Sequence, residues 1–125
     1  MPTIDLNDRE KRATITKEGL TLSRSGNADN PSLLCLSIKG NPTTGYTWNV
    51  DDAATNGAFE VMTRYISDNQ VHQRDVPLCG AGGTYYFTLT PLAEGANDGV
   101  FSISEGRDWE DFTIDDVSIP VKILD

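Results

Sequence analysis

Few side chains in this sequence are suited to covalent or acid–base chemistry. The chain of 125 residues has one histidine, His72, and two cysteines, Cys35 and Cys79. Cys35 lies in the apolar run 33–36, where a free thiol packs as a small hydrophobe. A nucleophilic pair would have to join His72 to Cys79 across the fold, with no third residue to orient it. The sequence therefore predicts that the protein is not an enzyme, and we expect no disulfide between the two cysteines.

Acidic residues are numerous, but their spacing does not indicate a metal site. The formal charge is −9 at pH 7. The doublets Asp51 with Asp52 and Asp115 with Asp116 lack the Asp-x-Asp-x-Asp-Gly spacing of a calcium loop. Solvated surface charge is the favoured interpretation, with a weak calcium site at one end of the fold as the alternative. No cofactor is predicted, and the negative charge disfavours nucleic acid and membranes as partners.

Three segments instead have the composition of displayed binding loops, and the first is 41–46. Pro42 fixes its own φ and drives Asn41 towards an extended conformation, while Gly45 permits a positive φ. The two threonines between Pro42 and Gly45 are stiff at χ1 because they are β-branched. This composition predicts a short, rigid loop with hydroxyl groups at its tip.

The second and third segments differ from the first in what they expose. Three glycines within 80–83 remove side chains, so that another backbone is able to approach closely. The stretch 106–109 carries an arginine and a tryptophan, which are residue types that dominate binding hot spots. The ordinary alternatives are a flexible turn at 80–83, and at 106–109 an Arg–Trp stack or a tryptophan folded into the end of the domain. The candidate binding residues are Asn41, Pro42, Thr43, Thr44, Gly45, Tyr46, Gly80, Ala81, Gly82, Gly83, Arg107 and Trp109.

The elements that must position these loops have the pattern of strands. Short segments with apolar residues at every second position recur between clusters of Gly, Asn, Asp and Pro. These segments are 12–16, 32–39, 46–50, 59–66, 84–92, 100–104 and 112–124. Helix signals are almost absent, and seven or eight strands at this spacing predict an all-β, immunoglobulin-like β-sandwich.

The sequence also predicts several local features of these strands and of the segments between them. The first segment is expected to continue through a kink to Leu22, and the last to break near Pro120. Periodicity does not choose which face of 100–104 is buried. Asn56 and Gly57 predict a tight turn, and the polar run 67–75 predicts a long surface loop.

The chain is predicted to form one domain. No internal repeat, linker or apolar run of about 18 residues is present. Residues 1–11 are predicted to be a flexible N-terminal segment and 12–125 a single, monomeric domain. The N-terminal segment lacks the apolar centre of a signal peptide. If Met1 is the true start, this predicts a cytoplasmic protein; if a signal has been removed, it predicts a secreted or lysosome-like compartment.

Taken together and in this order, the three segments resemble the loops of chagasin-type inhibitors of papain-like cysteine peptidases. The matching motifs are Asn-Pro-Thr-Thr-Gly-aromatic at 41–46, Gly-Ala-Gly-Gly-Thr at 80–84 and Arg-x-Trp at 107–109. The resemblance implies an immunoglobulin-like sandwich with the three loops at one end. It also implies reversible, non-covalent inhibition by occlusion of the active-site cleft, with papain-like cysteine peptidases as partners.

The resemblance further implies a role for each loop. Thr43 would lie nearest the peptidase's Cys–His pair, and 80–83 would pair through its backbone on the substrate-binding side. Trp109 would meet an aromatic surface on the other side, and Arg107 a polar or acidic one. The family's third motif usually reads Arg-Pro-Trp, whereas here Asp108 takes the middle position, so we expect a looser loop and a pairing of Asp108 with Arg107.

The alternative function is a non-inhibitory, immunoglobulin-like adhesion or carbohydrate-binding module. Such a module would display the aromatic faces of Tyr46, Trp48 and Trp109. Trp48 shares a strand face with Tyr46 and Val50, which places it in the expected core instead.

Overall fold

Two four-stranded β-sheets pack face to face in the computed structural model, which describes residues 2–67, 82–107 and 109–125. The elements in chain order are β1 (Thr3–Asp5), α1 (Arg9–Glu18), β2 (Leu20–Ser23), β3 (Leu34–Gly40), β4 (Thr47–Val50), β5 (Phe59–Ser67), β6 (Gly83–Pro91), β7 (Asp98–Gly106) and β8 (Thr113–Leu124), with short 3-10 helices at Pro42–Thr44 and Asp52–Thr55. The eight strands confirm the predicted all-β sandwich.

The chain crosses repeatedly from one sheet to the other. One sheet has the order β1-β3-β6-β5 and the other β2-β8-β7-β4. The β1–β3 and β2–β8 pairs are parallel, whereas the remaining neighbours are antiparallel. Since β3 and β4 belong to different sheets, the segment 41–46 bridges the two sheets at one end of the sandwich.

The core lies between the two sheets, as the alternation of apolar and polar residues along the strands predicts. On β6 the predicted face of Tyr85, Phe87 and Leu89 is buried. The Phe87 ring meets Phe101 of the opposite sheet edge-on, with ring centroids 5.5 Å apart, a favourable aromatic geometry. Phe101 and Ile103 are both buried, which decides the register that periodicity left open in β7.

The N-terminal region differs from the sequence prediction. In place of the flexible segment expected for 1–11, β1 pairs with β3 and Leu6 is fully buried in the core. Arg12 anchors this region, because its Nε donates to the Leu6 carbonyl at 2.9 Å and its Nη1 pairs with Asp115 at 3.2 Å. The segment is thus held to both sheets by burial and by polar contacts.

The predicted strand at 12–16 is wrong, because these residues belong to the helix α1. Asp8 caps the helix by accepting from the backbone N–H groups of Glu10 and Lys11, and Gly19 ends it at φ 83°. Ile15 is the helix's buried residue, so the apolar stripe is too narrow to give a helical period in the sequence. None of the described helices has the length and apolar composition to cross a membrane.

The remaining local expectations have mixed outcomes. Asn56 and Gly57 both have positive φ, as the tight turn requires. The predicted break near Pro120 is wrong, because the pairing of β7 with β8 continues through this residue. The pairing of β2 with β8 begins only at Val121. Proline has no backbone N–H to donate, and Pro120 therefore lies just outside the β2–β8 ladder, where none is required. Cys35 is buried and free, as predicted.

Much of the predicted surface loop at 67–75 lies outside the described residues. Ser67, expected to begin a loop, instead ends β5. His72, Cys79 and the rest of the polar run are among the residues that the structure does not describe.

Candidate functional site

The strand registers bring three chain connections to one end of the sandwich. Gly83 pairs with Gly40 on one side and with Ser67 on the other. In the second sheet Thr47 pairs with Gly106. The connections β3–β4, β5–β6 and β7–β8 therefore leave and re-enter the sheets together. They contain the three predicted segments, which we call loop 1 (41–46), loop 2 (80–84) and loop 3 (106–109).

Loop 1 is a single closed turn. Its centre is the 3-10 helix Pro42–Thr44. The backbone N–H of Thr44 donates to the Asn41 carbonyl at 3.1 Å, and that of Gly45 donates to the Pro42 carbonyl at 2.9 Å. Gly45 leaves the turn at φ 88°, as the sequence predicted. The Thr44 hydroxyl also donates to the Asn41 carbonyl, at 2.7 Å, so it is used within the loop.

Arg107 joins loop 3 to loop 1. Its Nε donates to the Thr44 carbonyl at 3.1 Å, and its guanidinium carbon lies 4.0 Å from the centre of the Tyr46 ring, within cation–π range. The Trp109 ring is farther away, at 5.6 Å. Nη1 of Arg107 pairs with Oε1 of Glu110 at 2.9 Å. Asp108, the expected partner of Arg107, lies outside the described residues.

Trp109 supplies a second contact between loop 1 and loop 3 and remains largely free to meet a partner. Its side chain is 70% exposed. Its indole packs over Gly45 so closely that a Cβ at this position would overlap its Cη2 atom. Only glycine fits here, both for this close approach and for its positive φ.

Loop 2 is described only at its C-terminal part, because Gly80 and Ala81 lie outside the described residues. At Gly83 a Cβ would lie 2.6 Å from the Tyr65 hydroxyl and 2.7 Å from the Ser67 Cα. At Gly82 a Cβ would lie 3.0 Å from the Gly40 carbonyl oxygen. Packing within the sandwich therefore explains these two glycines, and it fixes where loop 2 enters β6, directly beside loop 1.

The base of the site is an aromatic layer below the loops. Trp48 is 4% exposed, and its Nε1 donates to the Lys39 carbonyl at 3.1 Å. Tyr65 and Tyr85 pack with ring centroids 4.8 Å apart, and burial raises the pKa of Tyr85. Glu105, paired with Trp48 across the β4–β7 ladder, also has a raised pKa.

The raised pKa of Glu105 gives a prediction about stability. Burial is the main cause of the shift and the negative charge of Asp115 is the second. Because the folded state disfavours the ionised carboxylate, Glu105 costs the fold no stability below its ordinary pKa. The cost grows as the pH rises towards the raised pKa of the folded state and is complete above it. Glu105→Gln is therefore expected to raise the melting temperature at about pH 8 and to leave it unchanged at about pH 3.

A thermal unfolding series from about pH 3 to about pH 8 measures this effect. The matched control is Glu60→Gln at an exposed position of β5, which removes one negative charge from the same acidic chain. If the two variants show the same pH dependence, net charge rather than the surroundings of Glu105 is responsible.

Two residues that shape the loop end of the sandwich were not identified by the sequence analysis. Glu110 holds Arg107, and the nearness of the two opposite charges within one connection, three residues apart in the chain, was an available signal. Glu105 gave no such signal, because its burial depends on the register of β7 with β4 and β8.

The site has the character of a protein-binding surface carried on a β-sandwich. Loop 1 and loop 3 adjoin through Arg107 and Trp109, and loop 2 enters beside them. Within the described ranges, no group of three or more His, Cys, Asp or Glu side chains is placed to hold a metal ion. The fold and the site thus define a small β-sandwich that presents a wedge of loops at one end.

Sequence comparison assigns the family. A profile described as the chagasin family peptidase inhibitor I42 matches residues 27–123. Amoebiasin-1 of Entamoeba histolytica is 31% identical over 83 residues, covering 54% of this chain and 74% of that protein. Chagasin of Trypanosoma cruzi is 30% identical over 77 residues, covering 62% of this chain and 66% of that protein. The chain belongs to the chagasin family of peptidase inhibitors.

Two solved structures share the fold over almost the whole chain. The cysteine protease inhibitor EhICP2 from Entamoeba histolytica superposes with a TM-score of 0.60 at 18% identity, covering 98% of this chain and 96% of that one. The solution structure of Amebosin gives a TM-score of 0.59 at 20% identity, covering 98% and 95%. At these identities the likeness concerns the fold, and it extends over the N-terminal residues that precede the family match.

Proposed function

We propose that the chain is a reversible, non-covalent inhibitor of papain-like cysteine peptidases. It acts as a monomer and occludes the active-site cleft with loops 1, 2 and 3. The observation that carries this proposal is the direct contact of loop 1 and loop 3 at the end of the sandwich where loop 2 also enters. Membership of the chagasin family of peptidase inhibitors and the likeness in fold to a cysteine protease inhibitor of Entamoeba histolytica support this class of partner.

Loop 1 is the central contact, with Thr43 next to the peptidase's catalytic cysteine and histidine. Cleavage requires a carbonyl carbon about 3–3.5 Å from the thiolate in attack geometry. The turn Pro42–Thr44 is closed by the hydrogen bonds of the Thr44 and Gly45 amides, so this backbone does not take the extended form of a bound substrate. The loop therefore fills the cleft without being cut.

The other two loops widen the contact on either side. Loop 2, with Gly80, Ala81, Gly82 and Gly83, lies on the substrate-binding side. It pairs there through the backbone that precedes Gly83, while Gly83 itself is held between β3 and β5. Trp109 in loop 3 is the aromatic anchor on the opposite side, in keeping with its 70% exposure. Loops held by the sandwich lose little entropy on binding, and three of them suffice for a standard interface of about 800 Å² per partner.

An inhibition assay tests this function directly. Papain activity on a fluorogenic peptide is measured against increasing inhibitor, with trypsin as the serine-peptidase control. We expect an inhibition constant on the order of nanomolar for papain, none for trypsin, full recovery on dilution, and an intact chain by mass spectrometry after long incubation. Full papain activity at roughly tens of micromolar inhibitor would contradict the proposal, and a cleaved chain would contradict the non-substrate mechanism.

No observation favours the carbohydrate-binding alternative. Trp48 is buried, and the Tyr46 ring is covered by the Arg107 guanidinium. Of the three aromatic residues considered for a glycan platform, only Trp109 is largely exposed. Glycan binding without inhibition of papain would nevertheless replace the inhibitor proposal.

A further inference from the structure

We infer that Arg107 is a positioning residue, which together with Glu110 fastens loop 3 to loop 1, rather than a residue that pairs with the peptidase. This inference rests on the proposed function, because the purpose of the positioning is to present loop 1 to the cleft. It assigns Arg107 a different part from the one that the family resemblance implies. It also gives Glu110, which belongs to none of the three motifs, a part in inhibition.

The guanidinium of Arg107 makes two hydrogen bonds within the site and also lies over an aromatic ring. Nε donates to the Thr44 carbonyl at 3.1 Å, and Nη1 donates to Oε1 of Glu110 at 2.9 Å. The guanidinium carbon lies over the Tyr46 ring, 4.0 Å from the ring centre. Such a planar fork matches several partners at once, which an ammonium group does not. Two of these three contacts are with loop 1, so the side chain links the two loops.

Glu110 makes it costly to withdraw Arg107 from this arrangement. The Glu110 side chain is 17% exposed, and its Oε2 is buried without a hydrogen-bond partner among the described residues. The Glu110 backbone N–H also donates to the Arg107 carbonyl at 3.1 Å. If the guanidinium turned towards a peptidase, this carboxylate would be left largely buried and without its counter-ion, which is unfavourable.

Opposite results are expected for Glu110→Ala under the two roles of Arg107. If Arg107 paired with the peptidase, loss of Glu110 would release the guanidinium, and inhibition would stay the same or improve. If Arg107 positions loop 1, loss of Glu110 weakens the link, and we expect the inhibition constant for papain to rise about tenfold or more, or ~1.4 kcal/mol. Glu60→Ala, at the end of β5 remote from the loops, removes the same charge and is expected to have no effect.

Arg107→Lys separates the roles in a second way. Lysine keeps the positive charge, so it would preserve much of an ionic contact with the peptidase. It lacks the planar fork that bonds Thr44 and covers Tyr46, so as a positioning residue it should weaken inhibition about as much as Arg107→Met does. Circular dichroism and thermal unfolding of each variant exclude a general loss of the fold as the cause.

A readout in the free inhibitor makes the test independent of the peptidase. Hydrogen exchange at the Thr44 and Gly45 amides, which close loop 1, is expected to accelerate about tenfold or more in Glu110→Ala and Arg107→Lys, as local opening becomes easier. Unchanged exchange together with unchanged or stronger inhibition in Glu110→Ala would overturn the inference. If the parent protein inhibits no cysteine peptidase, the proposed function fails, while accelerated or unchanged exchange still decides whether Arg107 and Glu110 hold loop 1.

Discussion

Replacing Gly45 by alanine is expected to raise the inhibition constant for papain about tenfold or more while leaving the sandwich folded. The new methyl group would overlap the Trp109 indole, and the residue would have to adopt φ 88°. Trp109 is 70% exposed, so the indole is expected to move aside rather than to unfold the protein. Both loop 1 and the aromatic anchor of loop 3 would then be displaced from their binding positions.

Gly57→Ala is a matched control for this substitution. Gly57 also has a positive φ, of 71°, but a Cβ there would meet no atom within 4 Å. Both variants therefore carry a similar backbone strain of about 1–2 kcal/mol, and only Gly45→Ala disturbs the contact between the loops. Urea unfolding should show comparable losses of stability, whereas inhibition and the fluorescence of Trp109 should change only in Gly45→Ala. Equal inhibition by the two variants would show that the Gly45–Trp109 contact does not matter for binding.

The second large effect is expected for Thr43→Glu at the centre of loop 1. Thr43 is the middle residue of the 3-10 turn Pro42–Thr44, the part of the chain proposed to enter the cleft. A carboxylate there would lose its hydration, and it would stand beside a thiolate whose negative charge already pairs with the catalytic histidine, so that it would have to compete for that cation. Inhibition is expected to weaken by roughly 100-fold or more, which corresponds to ~2.7 kcal/mol.

Thr63→Glu controls for the chemistry of this change. Thr63 is an exposed position in the middle of β5, so the variant adds the same charge to the same acidic chain away from the loops. The inhibition constants of both variants, measured at low and at moderate salt, separate a local effect from general repulsion. If Thr43→Glu inhibits like the parent protein, loop 1 is not the segment that fills the cleft, and the assignment of the three loops must change.

The sequence by itself determined the strands with regular alternation and the turns with special backbone residues. In β6, the period of two marked Tyr85, Phe87 and Leu89, because one face of a packed strand is buried along its whole length. Pro42 and Gly45 likewise determined the closed turn of loop 1, since both act on the backbone dihedral angles of their own segment. The three loop motifs indicated the family as well, because each motif is a short, contiguous run of residue types.

Features that depend on distant residues were decided only by the tertiary structure. The N-terminal strand and helix escaped prediction because β1 has three residues and its pairing with β3 is provided by another part of the chain. The register of β7 became clear only when Phe101 met Phe87 across the core.

The link between loop 1 and loop 3 is the clearest example at the site itself. Thr44 and Arg107 are 63 residues apart in the chain, so no local pattern indicates that they bond. The registers of β3 with β6 and of β4 with β7 bring their loops to the same end of the sandwich. The sequence thus determined which residues form the loops, and the pairing of distant strands decided which of them meet, because hydrogen bonds between side chains and backbone act only over a few ångströms.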